Sequence, residues 1–364
     1  MTPDFQQMMR NAARLTRSGD LRAATAAIQA ALAGTAPAPA PVPAAPRAMR
    51  AMADVSDVLA REVPDTNAPA PPGPAANDAP GAGRFIAGSH SDAAGRRDFK
   101  LYIPPGAGQR ALPLVVMLHG CTQNPDDFAA GTAMNELAAA QGFYVLYPAQ
   151  SQQANPQRCW NWFKHNHQAR GRGEPALLAG MTHEVMTAHT VDADRVYVAG
   201  LSAGGAMAAI LGNAYPELYA AVGVHSGLAA GSATDLPSAL GAMKGGGNPL
   251  RTSGSASGVA TIVFHGDADT TVHPANGQQV VAASAGRGSS VDVEQLATPG
   301  GRAHTRSVHR APDGTVVAEH WLVHGAAHAW SGGSARGSYT DAHGPDASVE
   351  MLRFFMAHPR CQAH

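Results

Sequence analysis

An apolar strand that runs unbroken into a Gly-x-Ser-x-Gly turn and then into a helix of small residues leaves a chain few folds to choose from. Arg195-Val-Tyr-Val-Ala-Gly200-Leu201-Ser202-Ala203-Gly204-Gly205-Ala206-Met207 is such a segment. A serine on so sharp a turn sits in a strained backbone conformation, and a side chain at Gly200 or Gly204 would collide with the neighbouring strand and helix. The turn lifts the Ser202 hydroxyl above a sheet and aims the first helical N–H groups at a developing oxyanion. The pentapeptide alone also fits an ordinary Gly/Ser turn. The strand before it and the helix after it make Ser202 a candidate nucleophile.

From Arg84 to His364 apolar strands alternate with helical patterns, the signature of an α/β domain with a mainly parallel sheet. Strands are expected at Phe99–Ile103, Leu114–Leu118, Tyr144–Tyr147, Val196–Ala199, Ala221–Val224, Thr261–Phe264, Val291–Leu296 and Val316–Val323, and helices starting near Ala133, Glu174, Ala203, Asn276 and Asp346.

The chain ahead of Arg84 differs in texture. Residues 1–34 carry Phe5, Met8, Ala12 and Leu15, then Leu21, Ala24, Ile28 and Leu32 after a break at Ser18-Gly19-Asp20, which reads as a small helical hairpin. Residues 35–83 hold eleven of the 27 prolines and are expected to form an extended tether. One exception lies inside it, a short amphipathic helix with Met49, Met52, Val55, Leu59 and Val63 on one face. Asp4, Gln6, Gln7 and Arg10 stand where a secretory leader needs continuous apolar residues. The expectation is a cytoplasmic protein that can associate with granules, with secretion as the alternative. No run of residues is long and apolar enough to cross a membrane, and a net charge of -1 gives no footprint for nucleic acid. Three cysteines, Cys121, Cys159 and Cys361, match no zinc or redox spacing and leave room for one bridge.

A hydroxyl nucleophile needs a base and a group to orient that base, in the chain order serine, acid, histidine when it stands on such a turn. The strand ending at Phe264 leads into His265-Gly266-Asp267-Ala268-Asp269, and the strand ending at Val323 leads into His324-Gly325-Ala326-Ala327-His328-Ala329-Trp330. Asp267 suits a turn cap, so Asp269 is preferred as the acid; His328 lies in a small-residue loop and is preferred to His324 as the base. The second oxyanion donor, beside the Ala203 N–H, is expected at the Cys121 N–H, where the strand Leu114–Leu118 breaks at His119-Gly120. Trp160, Asn161 and Trp162, with Trp330, offer aromatic faces for a substrate groove, although a core wall is the competing reading. His165 and His167 lack an accompanying carboxylate or cysteine at ligand spacing, so no metal and no cofactor is expected.

LHGCTQ, RCWNWF, GLSAGG, HGDADTTV and GAAHAWSGG, in this order, resemble the esterase family named for poly(3-hydroxybutyrate) depolymerase, related to family 1 carbohydrate esterases. The resemblance covers about Arg84 to His358. It implies an α/β-hydrolase fold over residues 84–364, Ser202 as nucleophile, Asp269 as acid and His328 as base, with Cys121 and Ala203 as oxyanion donors. The implied activity is serine esterase chemistry on short-chain 3-hydroxyalkanoate esters, polymeric or oligomeric, most like intracellular-type depolymerases. Alternatives are a feruloyl or acetylxylan esterase, and a partner-binding protein on a hydrolase scaffold. The implied partner is the ester or polyester itself, with a polymer granule or granule-coating protein as a target for the amino-terminal segment. A bridge between Cys121 and Cys159 is conceivable, and a reducing compartment would disfavour it.

Overall fold

The computed structural model describes residues 83–246, 259–286 and 288–360. The expected hairpin, the amphipathic helix and Cys361 lie outside them, as does the tether apart from Gly83.

The described residues form a ten-stranded sheet in the order β1-β2-β4-β3-β5-β6-β7-β10-β9-β8, where the strands are β1 (Arg84–Asp92), β2 (Gly95–Ile103), β3 (Leu112–Leu118), β4 (Tyr144–Pro148), β5 (Val191–Leu201), β6 (Ala221–His225), β7 (Ala260–Gly266), β8 (Ser290–Ala297), β9 (Ala303–Arg310) and β10 (Val316–Val323). The six strands from β4 to β10 in that order pair in parallel, and antiparallel strands flank them on both sides. β3, β4 and β6 are buried along their whole length, which is why they read as unbroken apolar runs.

Alternation along the strands sorts side chains into two cores. Leu114, Val116 and Leu118 join a cluster with Leu178 and Met181 of α3 (Gly173–Ala188), Met207 and Ile210 of α4 (Ala203–Ala214), Ala239 of α5 (Leu236–Gly245) and Val280 of α6 (Ala275–Ala285). Val115 and Met117 face the opposite way, toward Phe128 of α1 (Pro125–Thr132), Met134 of α2 (Met134–Gln141) and Phe354 of α7 (Ala347–Met356). Helices thus cover both faces, as a buried parallel sheet requires.

The strands and helices expected between Arg84 and His364 all form, several of them longer than their apolar runs. β1, β9, α1 and α5 were not expected, nor was a short pair, β11 (Trp330–Ser331) and β12 (Thr340–Asp341).

β1 is fastened to α3 by a charged knot. The His90 ring hydrogen-bonds Glu184 through Nδ1 and Asp92 through Nε2, so both ring nitrogens face carboxylates. Burial alone would lower the His90 pKa, yet these two carboxylates outweigh it and raise it above 6.5. A raised folded-state pKa stabilises the fold fully below the unfolded value and loses that contribution as pH climbs through the folded one. Wild type should therefore exceed His90→Gln in stability at about pH 6 by about 1 kcal/mol, with Glu184 half-exposed, and by less at about pH 9. Urea unfolding at both pH values checks this; a gap that widens with pH would contradict it.

Candidate active site

The turn between β5 and α4 has the strain that its sequence implies. Ser202 has φ 58° and ψ −118°, and its N–H donates to the His225 carbonyl at 2.8 Å. A Cβ on Gly204 would lie 2.0 Å from the Leu118 carbonyl oxygen, and one on Gly200 2.4 Å from the Gly204 carbonyl carbon. Only glycines let α4 start this close to the end of β3. That contact brings the loop of the expected oxyanion donor, His119-Gly120-Cys121, against the start of α4, where the first N–H groups have no intrahelical acceptor.

The two aspartates and two histidines sort into separate pairs. His328 Nδ1 donates to Asp269 Oδ2 at 2.7 Å, while His324 Nδ1 donates to Asp267 Oδ2 at 2.8 Å. The Asp269 side chain is fully buried; Oδ1 accepts the N–H groups of Thr271 and Val272, both at 2.9 Å, and His265 Nε2 lies 3.5 Å from Oδ2. Burial would raise the Asp269 carboxyl, but His265, His328 and the Val272 N–H prevail and hold it well below the ordinary carboxylate range. Asp269 is therefore ionised at neutral pH. Asp267 instead closes the neighbouring turn, accepting the Gly325 N–H at 2.6 Å.

His225 connects the serine turn to the histidine loop. Its carbonyl holds the Ser202 N–H, and its Nε2 accepts the Ser331 N–H at 2.9 Å, three residues beyond His328. Burial drives its pKa down to about 3, which keeps the ring neutral and Nε2 free to accept. The His119-Gly120-Cys121 loop is held as firmly. His119 donates from Nδ1 to the Gly120 carbonyl at 2.7 Å and accepts the Gln150 N–H on Nε2 at 3.1 Å, and burial lowers its pKa to about 4. Gln123 Oε1 accepts the Gly120 N–H at 2.9 Å. Cys121 and Cys159 are disulfide-bonded, so the bridge left open by their spacing is made.

The aromatic groove expected from Trp160, Asn161, Trp162 and Trp330 is not there. Trp160 and Trp330 are 0% and 1% exposed, and their indole N–H groups point inward, to the His119 carbonyl at 3.1 Å and to Ser348 Oγ at 3.0 Å. Trp330 stacks on His225 and meets Phe128 edge-on. Asn161 gives its N–H and Nδ2 to the buried Glu174 carboxylate, each at 2.7 Å, and Trp162 retains 6% exposure. Indoles supply large apolar area, and here that area closes the core around the loops. His167 Nδ1 accepts the Glu174 N–H at 3.2 Å, so this histidine too belongs to the loop scaffold.

His225, Gln123, Gln150 and Glu174 were missed by sequence reasoning. His225 alone carried a signal: like His119, His265 and His324, it closes an apolar strand.

A mainly parallel sheet covered on both faces, with a strained serine turn after β5 and acid–histidine partners after β7 and β10, defines an α/β-hydrolase. Its fold agrees with that of an acetyl xylan esterase from Aspergillus awamori, at TM-score 0.56 and 18% identity over 75% of this chain and 99% of that one. Residues 97–295, more than half of the chain, match the family described as esterase PHB depolymerase, and the chain belongs to that family. The matched span includes Ser202 and Asp269 and stops short of His328. Among curated relatives, poly(3-hydroxyalkanoate) depolymerase C of Paucimonas lemoignei is 32% identical over 62% of this chain and 57% of its own length. The probable acetylxylan esterase A of Neosartorya fischeri is 28% identical over 48% of this chain and 51% of its own length. The chain thus spans a little over half the length of these two relatives.

Proposed function

We propose that the chain is a serine esterase that hydrolyses short-chain 3-hydroxyalkanoate esters, polymeric or oligomeric, through Ser202, His328 and Asp269. The observation that carries the reading is the 2.7 Å bond from His328 Nδ1 to the buried Asp269 carboxylate, with the His328 loop tied through His225 to the Ser202 turn. In this reading Ser202 Oγ attacks the ester carbonyl while His328 Nε2 takes its proton. The Cys121 and Ala203 N–H groups stabilise the oxyanion. Collapse expels the alcohol, which receives the proton from His328 and leaves an acyl-enzyme. Water, deprotonated by the same histidine, then releases the acid and regenerates Ser202.

The depolymerase relative supports hydroxyalkanoate esters as substrates, and the acetylxylan esterase relative supports the alternative of a polysaccharide-linked acyl group. The disulfide supports an oxidising compartment, the secreted alternative, over the cytoplasm. A panel of amorphous polyhydroxybutyrate, hydroxybutyrate oligomers, feruloyl esters and acetylxylan tests the substrate. The highest kcat/KM is expected on hydroxybutyrate oligomers or polymer, and a preference for feruloyl esters or acetylxylan would replace this reading with the alternative.

A further inference from the structure

We propose that Tyr339 is a specificity-determining residue, its ring forming an apolar wall beside the oxyanion loop that receives the carbon chain of the substrate's acyl group. This deepens the esterase reading and rests on it. Six non-glycine residues among those described have positive φ, and four of them, Thr122 (66°), Ser202 (58°), Ser226 (49°) and Tyr339 (52°), lie on the loops around the serine turn. For a bulky aromatic residue this region is an outlier that its surroundings must enforce, and such strain gathers at functional positions.

The enforcement comes from both flanks. Ser338 donates its N–H to Asp127 at 2.8 Å, and the methyl group of Thr340 fits against Gly131 and Gly333, where a Cβ would lie 3.1 and 2.9 Å from it. The Tyr339 carbonyl accepts the Trp330 N–H at 2.7 Å, two residues beyond His328. With its backbone fixed this way, the side chain is turned outward and is 48% exposed. Its hydroxyl lies 3.2 Å from Thr122 Oγ1. Thr122 already gives its single hydroxyl proton to the Cys121 carbonyl at 2.6 Å, so the phenol is the donor. Tyr339 is thereby held between the loop of the candidate oxyanion donor and the loop of the candidate base. With Trp160 and Trp330 sealed in the core, Tyr339 is the one exposed tyrosine, phenylalanine or tryptophan among the described residues.

The test compares kcat/KM for p-nitrophenyl butyrate and p-nitrophenyl acetate in wild type, Tyr339→Asn and Tyr339→Phe. Asparagine tolerates the left-handed conformation, so Y339N removes the ring without adding backbone strain. Y339N should lower both values, and butyrate by about five- to tenfold more than acetate, mainly through KM, because the longer chain loses more apolar contact. Y339F should preserve the wild-type butyrate-to-acetate ratio, since the ring remains and only the bond to Thr122 is lost. Equal losses on the two esters in Y339N, or an altered ratio in Y339F, would overturn the assignment. Wild type that hydrolyses neither ester would instead overturn the esterase reading itself.

Discussion

Ser202→Ala and His328→Ala should each lower ester hydrolysis by at least about a thousandfold, because members of the proposed constellation act as a unit and the loss of one forfeits most of the effect. The aspartates give the sharper comparison. Asp269→Asn should fall nearly as far: an amide in place of a buried carboxylate that accepts from His328, Thr271 and Val272 no longer fixes the imidazole tautomer or balances the imidazolium. Asp267→Asn should keep most of the rate, since its carboxylate serves His324 and the Gly325 N–H on a half-exposed turn. Initial rates on p-nitrophenyl butyrate, with melting curves to verify folding, decide the matter. If Asp267→Asn proves the inactive one, the acid is Asp267 and the pairing with His328 is not catalytic.

The second large effect concerns the disulfide. Cys121 and Cys159 are separated by 38 residues, and closing a loop of that length restricts the unfolded chain by an amount worth about 4 kcal/mol. Reduction in a Cys361→Ser background, where no other pairing can form, should lower the free energy of unfolding in urea by up to that amount. Activity should fall with it, because Cys121 belongs to the loop held against Gly204. An unchanged unfolding midpoint in dithiothreitol would show that the bridge adds nothing to stability.

Much of the sheet could be read from the chain because β3, β4, β6 and β7 are apolar runs bounded by glycine or histidine. β1 and β9 escaped for a physical reason: Arg-Phe-Ile-Ala-Gly-Ser-His-Ser-Asp lies at an edge, and Ala-His-Thr-Arg-Ser-Val-His-Arg is stabilised by ion pairs such as Arg306 with Glu319. Neither carries an apolar alternation strong enough to announce a strand. α5 could have been found, since Asp235 and Ser238 form a capping box that the spacing Asp-x-x-Ser spells out. At the candidate site, the Ser202 turn was legible because only glycine permits the approach of α4 to β3. The tryptophans were not, because an indole suits a core wall and a substrate groove equally well and only burial distinguishes them. Tyr339 was hidden for the opposite reason. Nothing in Gly-Ser-Tyr-Thr-Asp reveals that its backbone is left-handed.

The sealing of the indoles has an optical consequence. The chain has four tryptophans, and Trp160, Trp162, Trp321 and Trp330 are 0%, 6%, 4% and 1% exposed. All four are shielded from water, so the folded protein should fluoresce toward the blue and shift to the red when its core opens. Trp160 donates to the His119 carbonyl and Trp330 anchors the segment after His328 to Ser348, which makes intrinsic fluorescence a label-free gauge of whether the scaffold under the candidate site is intact.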